Sequence, residues 1–137
     1  MGIRLFKLFK KTSGFTLIEI MVVVVIIGVL AGLAIPSYWS TKEKALDKEA
    51  IAGVKLIRAA DKQYYVQNET YFPSSGTATL ADINGNLSIA LTGTTWTYSL
   101  TRLGTGGINA TAVRNGNRTW WVTNDSAEPV CTGAGCL

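Results

Sequence analysis

From Phe15 to Ile35 the chain is apolar at almost every position, so no face of the segment is polar. As a helix rising ~1.5 Å per residue, this run covers roughly 30 Å, the thickness of a bilayer's hydrocarbon core. A helix that is apolar all round suits a membrane span. Past Pro36 the period stays helical but becomes one-sided. Trp39, Leu46, Ala50, Val54, Ile57, Ala60 and Tyr64 recur at three- and four-residue spacing, while Lys42, Glu43, Lys44, Asp47, Lys48, Glu49, Lys55, Arg58 and Lys62 lie mostly on other faces. The pattern predicts one long helix from about Phe15 to Val66, its second half amphipathic and packed on a head. Gly53 costs such a helix ~1 kcal/mol relative to alanine, and its small surface suits close packing. Asp61, at the edge of the stripe, is expected to be solvated.

From Gln67 to Thr95 the sequence turns polar and irregular. Asn68 to Gly76 and Asp82 to Asn86 carry turn chemistry, with Leu87, Ile89 and Leu91 alternating as a short strand. A loop this long in a small head is expected to be a working or a variable surface. Three strand-like runs follow: Trp96–Arg102, Ile108–Val113 and Arg118–Thr123, the last two joined by Asn115-Gly116, a strong hairpin signal. An antiparallel meander on the amphipathic helix is the economical arrangement, giving an α+β fold with a small β-sheet head. Trp120 and Trp121 are adjacent and must point to opposite faces of their strand. One belongs in the core, and the other needs cover.

Charge adds an orientation. The segment Met1–Gly14 carries Arg4, Lys7, Lys10 and Lys11 and no acid. A basic flank keeps its end of the span cytoplasmic and sends the rest of the chain across the membrane. Setting those four aside, the remaining basic residues equal the 9 acidic ones, although the whole chain has 13 and a formal charge of +4. Charge therefore offers no case for a nucleic-acid partner. The junction between basic leader and span, Gly14-Phe15, is a better cleavage point than Ala34-Ile35-Pro36 at the far end. One residue does not fit the apolar run: Glu19, whose carboxylate costs a few kcal/mol to place in hydrocarbon.

The run Gly14-Phe15-Thr-Leu-Ile-Glu19, after a basic leader and before an apolar stretch, resembles a type IV prepilin. The resemblance covers residues 1 to about 66. Beyond that it holds only in outline, as a β-rich head with a C-terminal cysteine pair. It implies domains at 1–14 (leader), 15–36 (span and filament core) and 37–137 (amphipathic helix half and head). It further implies prepilin peptidase cleavage after Gly14, methylation of the new amine of Phe15, and assembly governed by Glu19. The partners implied are the membrane, the pilus assembly machinery and further copies of the chain. The subunit would wait in the inner membrane and pass into an extracellular filament. By the same resemblance, the segment Gln67–Thr95 occupies the place of a loop that contributes to subunit contacts.

Pro36 offers no N–H to the turn before it, and Gly28 and Gly32 lower helix propensity just upstream in a Gly-x-x-x-Gly spacing. Two readings stay open: a segment that loses helical hydrogen bonds on packing, or a plain kink with a close helix contact. At the other end, Cys131 and Cys136 enclose four residues, two of them glycine, and can close a small disulfide loop. With no histidine in the chain, a Cys-His catalytic pair is excluded and a metal site lacks ligands. No phosphate loop or paired catalytic carboxylates are present, so neither enzyme chemistry nor a cofactor is expected. The function expected is a pilin. The alternatives are a type II secretion pseudopilin and a membrane-anchored binding module that never polymerises. By family resemblance the major pseudopilin carries a calcium site in an acidic C-terminal loop. This tail has only Asp125 and Glu128, which favours the pilin.

Overall fold

The computed structural model describes residues 14–104, 106–115 and 117–136; the leader before Gly14, and Gly116 of the expected hairpin, lie outside the described residues. The fold is α+β, in the order α1 (Leu17–Asn68), β1 (Thr77–Ala78), α2 (Leu80–Leu87), β2 (Thr97–Arg102), β3 (Ile108–Arg114), β4 (Arg118–Thr123) and β5 (Val130–Gly133). The chain divides after Ser40 into two units.

In the first unit the helix carries its apolar side chains outward. Ile18, Val22, Val25, Leu30 and Leu33 are all exposed. By length and composition α1 is able to cross a membrane. Trp39, expected on the packed stripe, is exposed as well.

In the second unit the amphipathic stripe is satisfied by the sheet. Ala50, Val54 and Ile57 of α1 are fully buried, with Leu46, Ala60 and Tyr64 alongside. Period-two alternation sends Tyr98 and Leu100 of β2, Ile108, Ala110 and Ala112 of β3, and Val122 of β4 against them. All five strands form one antiparallel meander, β1-β2-β3-β4-β5. The helix–sheet contact is close because position 53 is glycine: a Cβ there would lie 2.4 Å from the Tyr98 ring. Tyr98 and Trp96 then reach helix carbonyls, donating to Glu49 O (3.4 Å) and Leu46 O (3.0 Å).

The same alternation places Arg114 and Arg118 at the end of the inner face, and they meet the acids of α1. Arg118 Nη1 lies 2.8 Å from Asp47 Oδ1 and 3.2 Å from Glu43 Oε2, and Arg114 also pairs with Glu43. The Arg114 hydrogen bond holds the Glu43 carboxyl below the usual range. Trp120 joins this network, its indole N–H donating to Asp47 at 3.2 Å. Trp120 is therefore the inward member of the tryptophan pair. Trp121 stands on the other face, opposite Thr111 and Val130, half-buried.

Three expectations need correction. Residues 67–95 are not irregular throughout, and Leu87, Ile89 and Leu91 make no strand. Instead Thr79 caps α2 through a reciprocal box with Asp82, and Ile83 and Leu87 turn into the core. The run Asp82–Asn86 read as a turn lies within this helix. The tail is also more than a cysteine loop, because Val130–Gly133 pairs with β4 as an edge strand.

The third correction is Asp61, which is fully buried rather than solvated. Its place in the 50-54-57-61-64 series puts it inside the stripe, and its Oδ1 accepts the Phe72 N–H at 2.8 Å. It thereby fastens the segment after α1 to the helix. Burial raises its pKa from 3.8 to about 6, against the Phe72 hydrogen bond and the nearby Arg102 charge. A raised folded-state pKa means that the stabilisation is complete below the unfolded value and is lost as pH rises through about 6. Asp61→Asn keeps an acceptor for Phe72 and removes the charge. Thermal melts should show the variant more stable than wild type near pH 8, by about 4 °C, with the gain vanishing toward pH 4. A variant less stable than wild type near pH 8 would contradict this account.

Candidate assembly site

The residues singled out at the start of the chain converge on the first turn of α1. Gly14 and Phe15 precede the helix and are exposed, Phe15 at 80%. A Cβ on Gly14 would meet nothing within 4 Å. The junction thus lies outside the helix and exposed, where a protease could reach it.

Glu19 sits in the first turn, and its surroundings explain how a carboxylate is held there. Thr16 N–H donates to Glu19 Oε2 at 2.8 Å, and the Thr16 hydroxyl donates to the same oxygen at 2.9 Å. In return Glu19 N–H donates to Thr16 Oγ1 at 3.3 Å. Thr16 is therefore the N-cap and Glu19 the third helical residue of a capping box, which satisfies two otherwise orphaned donors. The helix dipole adds a further favourable field for the negative charge. Sequence reasoning named Glu19 and passed over Thr16. The signal was present, since Thr-x-x-Glu ahead of an apolar run is the capping-box signature.

This capping role does not exhaust the carboxylate. A carboxylate has about four lone-pair sites, and the two Thr16 donors both use Oε2. Capacity remains for another donor, and Arg and Lys are absent from Phe15 through Pro36. In the uncleaved chain the nitrogen of Phe15 is an amide. Cleavage after Gly14 would turn it into an amine one residue from the Thr16 N–H that already binds Glu19.

The other singled-out residues lie elsewhere. Gly28 and Gly32 fall within α1, and added Cβ atoms would meet nothing within 4 Å. Among the described residues, then, packing does not demand glycine at either position. The assigned helix continues through residue 36, while the Pro36 side chain lies outside the described residues. Cys131 and Cys136 are bonded to each other in the second unit. Their loop is also held by Ala134 N–H donating to Asn117 O at 2.8 Å and by Arg118 donating to Gly135 O. Gly133 is required there: its φ is +104° and a Cβ would strike Asn117 O. Among the described residues, no group of three or more His, Cys, Asp and Glu side chains is gathered as a metal site.

Residues 9–35 match the family model of the prokaryotic N-terminal methylation motif. The chain is 46% identical over 61 residues to the type II secretion system core protein G of Escherichia coli K12, covering 44% of this chain and 42% of that one. It is 47% identical over 62 residues to the core protein G of Pseudomonas aeruginosa, covering 45% and 44%. It is 34% identical over 76 residues to the type IV major pilin protein PilA of Myxococcus xanthus, covering 56% and 34%. The chain thus spans less than half the length of these curated relatives. No solved structure matches it.

Thr16→Ala removes the cap while leaving Glu19 in place. Loss of an N-cap hydroxyl costs ~1 kcal/mol, so amide exchange in the first turn of α1 should rise about fivefold in detergent. Unchanged exchange there would show that the box contributes nothing to the helix start.

Proposed function

We propose that this chain, which belongs to the type IV pilin family in the broad sense that includes the secretion pseudopilins, is a pilus subunit cleaved after Gly14 and polymerised into an extracellular filament. Members of this family are structural subunits rather than enzymes. The observation that carries the proposal is an apolar helix whose side chains are exposed among the described residues, starting two residues after the exposed Gly14-Phe15 junction and interrupted by one acid. Such a surface is stable only in hydrocarbon or against other apolar helices. A bilayer supplies the first environment before assembly, and neighbouring spans supply the second afterwards.

The transfer from lipid to filament needs a register, and Glu19 can supply it. A carboxylate among packed apolar helices must be paired. The amine freed at Phe15 is the cation available at that depth. A neighbour's amine, brought level by axial stagger, would satisfy Glu19 at one relative height and leave it unpaired at others. Gly28 and Gly32 let helices approach closely. With Pro36 they form a stretch that can give up helical hydrogen bonds as the spans pack. Prepilin peptidase and an inner-membrane assembly machine are the partners this route requires.

A second reading is a pseudopilin of a type II secretion system, and the 46% and 47% identities to core protein G favour it. The tail favours the pilin. It holds Asp125 and Glu128 where the pseudopilin resemblance calls for a calcium-binding acidic loop, and it is closed instead by Cys131–Cys136 and strand β5. Immunogold labelling of the native cell separates the two. Long labelled surface fibres fit the pilin, while label confined to the periplasm together with lost protein secretion in a deletion strain fits the pseudopilin.

Two outcomes test the route itself. Mature protein should begin at Phe15 with one extra methyl on its amine, and a bulky residue at Gly14 should leave precursor in the membrane. Normal-length mature protein from that variant would refute the cleavage site. Glu19→Val should insert and be cleaved yet fail to polymerise. Stranding one partner of a buried pair costs ~3–5 kcal/mol, so sheared filament should fall by at least about two orders of magnitude. Glu19→Asp, one methylene short, should be partly defective. Wild-type yield from Glu19→Val would remove the charge pair from the mechanism.

A further inference from the structure

Where the apolar run of α1 ends, two aromatic residues stand side by side. Tyr38 and Trp39 are 65% and 58% exposed, and their rings meet edge to face with centroids 6.3 Å apart. With Ala34 and Ile35 they line an open hollow of about 530 Å³ along the helix surface. Lys42, Glu43 and Lys44 follow, so the pair stands at the boundary between apolar and charged sequence.

Both rings have an apolar body and one polar tip, a hydroxyl or an indole N–H. Side chains of that kind favour the headgroup level of a bilayer, where the body stays in hydrocarbon and the tip stays wet. At ~1.5 Å per residue, Trp39 stands about 30 Å along the helix from Glu19, one hydrocarbon thickness. The two ends of the span thus each carry a group that prefers an interface, a carboxylate at one and an aromatic pair at the other.

We propose that Tyr38 and Trp39 are an interfacial anchor for lipid, seated at the headgroup boundary of the leaflet facing the head. Resting on the membrane-held state described above, this sets the depth of the waiting subunit and keeps Glu19 at the opposite boundary. A subunit that sank or rose by one helical turn would move Glu19 by about 5 Å and present it at the wrong height. The spacing to Glu19 and continuity with the lipid-facing run select a bilayer rather than a second copy as the occupant.

The test uses the full chain in phosphatidylethanolamine–phosphatidylglycerol vesicles doped with phosphatidylcholine brominated near either the headgroup end or the methyl end of its acyl chains. Trp39→Phe identifies the Trp39 emission by difference from Trp96, Trp120 and Trp121. Bromines near the headgroup end should quench that emission about twofold more than those near the methyl end. Stronger quenching by deep bromines overturns the anchor and leaves the membrane state intact. So does no quenching in a chain that floats with the vesicles, the result if a second copy covers the rings. A chain that fails to float with vesicles overturns the anchor and the membrane state together.

Discussion

An apolar helix segment, exposed along its length among the described residues, is the constraint on which this molecule depends. In the first unit every turn of α1 from Leu17 to Ile35 presents Val, Ile or Leu outward. Water is the wrong solvent for that surface at ~25 cal/mol for each Å² exposed. The helix can exchange one apolar environment for another, which is the exchange the proposed membrane-held filament subunit would undergo. Because lipid and packed helices are similarly apolar, the exchange carries little hydrophobic driving force. On the proposed route, small polar differences would decide where a subunit docks, and a single carboxylate would then matter.

The second unit meets the opposite requirement. Here one stripe of the same helix is covered by the sheet, and the seam is fastened by directional bonds. Gly53 lets Tyr98 close in, the tryptophan and tyrosine donors reach helix carbonyls, and Arg114 and Arg118 pair with Glu43 and Asp47. Arg118 also reaches Gly135 in the disulfide-closed tail. One side chain thus links the helix, the fourth strand and the tail, and it holds the edge of the sheet against the helix.

The long helix and strands β2 to β4 were legible because their apolar periods are strong and uninterrupted. So was the Gly14–Glu19 motif. What escaped was encoded in short polar signals. Thr79 and Asp82 start a helix by the same reciprocal capping that Thr16 and Glu19 use, yet the neighbouring Asn-Gly pair reads as a turn. Strands β1 and β5 are short edge elements whose pairing comes from neighbours rather than from their own residues. Asp61 reads as a surface charge because its acceptor role depends on Phe72, eleven positions later in the chain. In each case a local bond with a specific partner prevailed over average preference.

Glu19 does two jobs in this account: it caps its own helix, and it carries the charge that a neighbour's amine must meet. Glu19→Gln separates them, since glutamine serves in a capping box but brings no charge. The direct measurement is the yield of sheared filament from Glu19→Gln cells, normalised to cleaved subunit in the inner membrane. The account predicts normal insertion and processing with filament reduced to near the level of a strain lacking the subunit. Filament at wild-type yield would show that capping, not charge pairing, is what assembly requires of this residue.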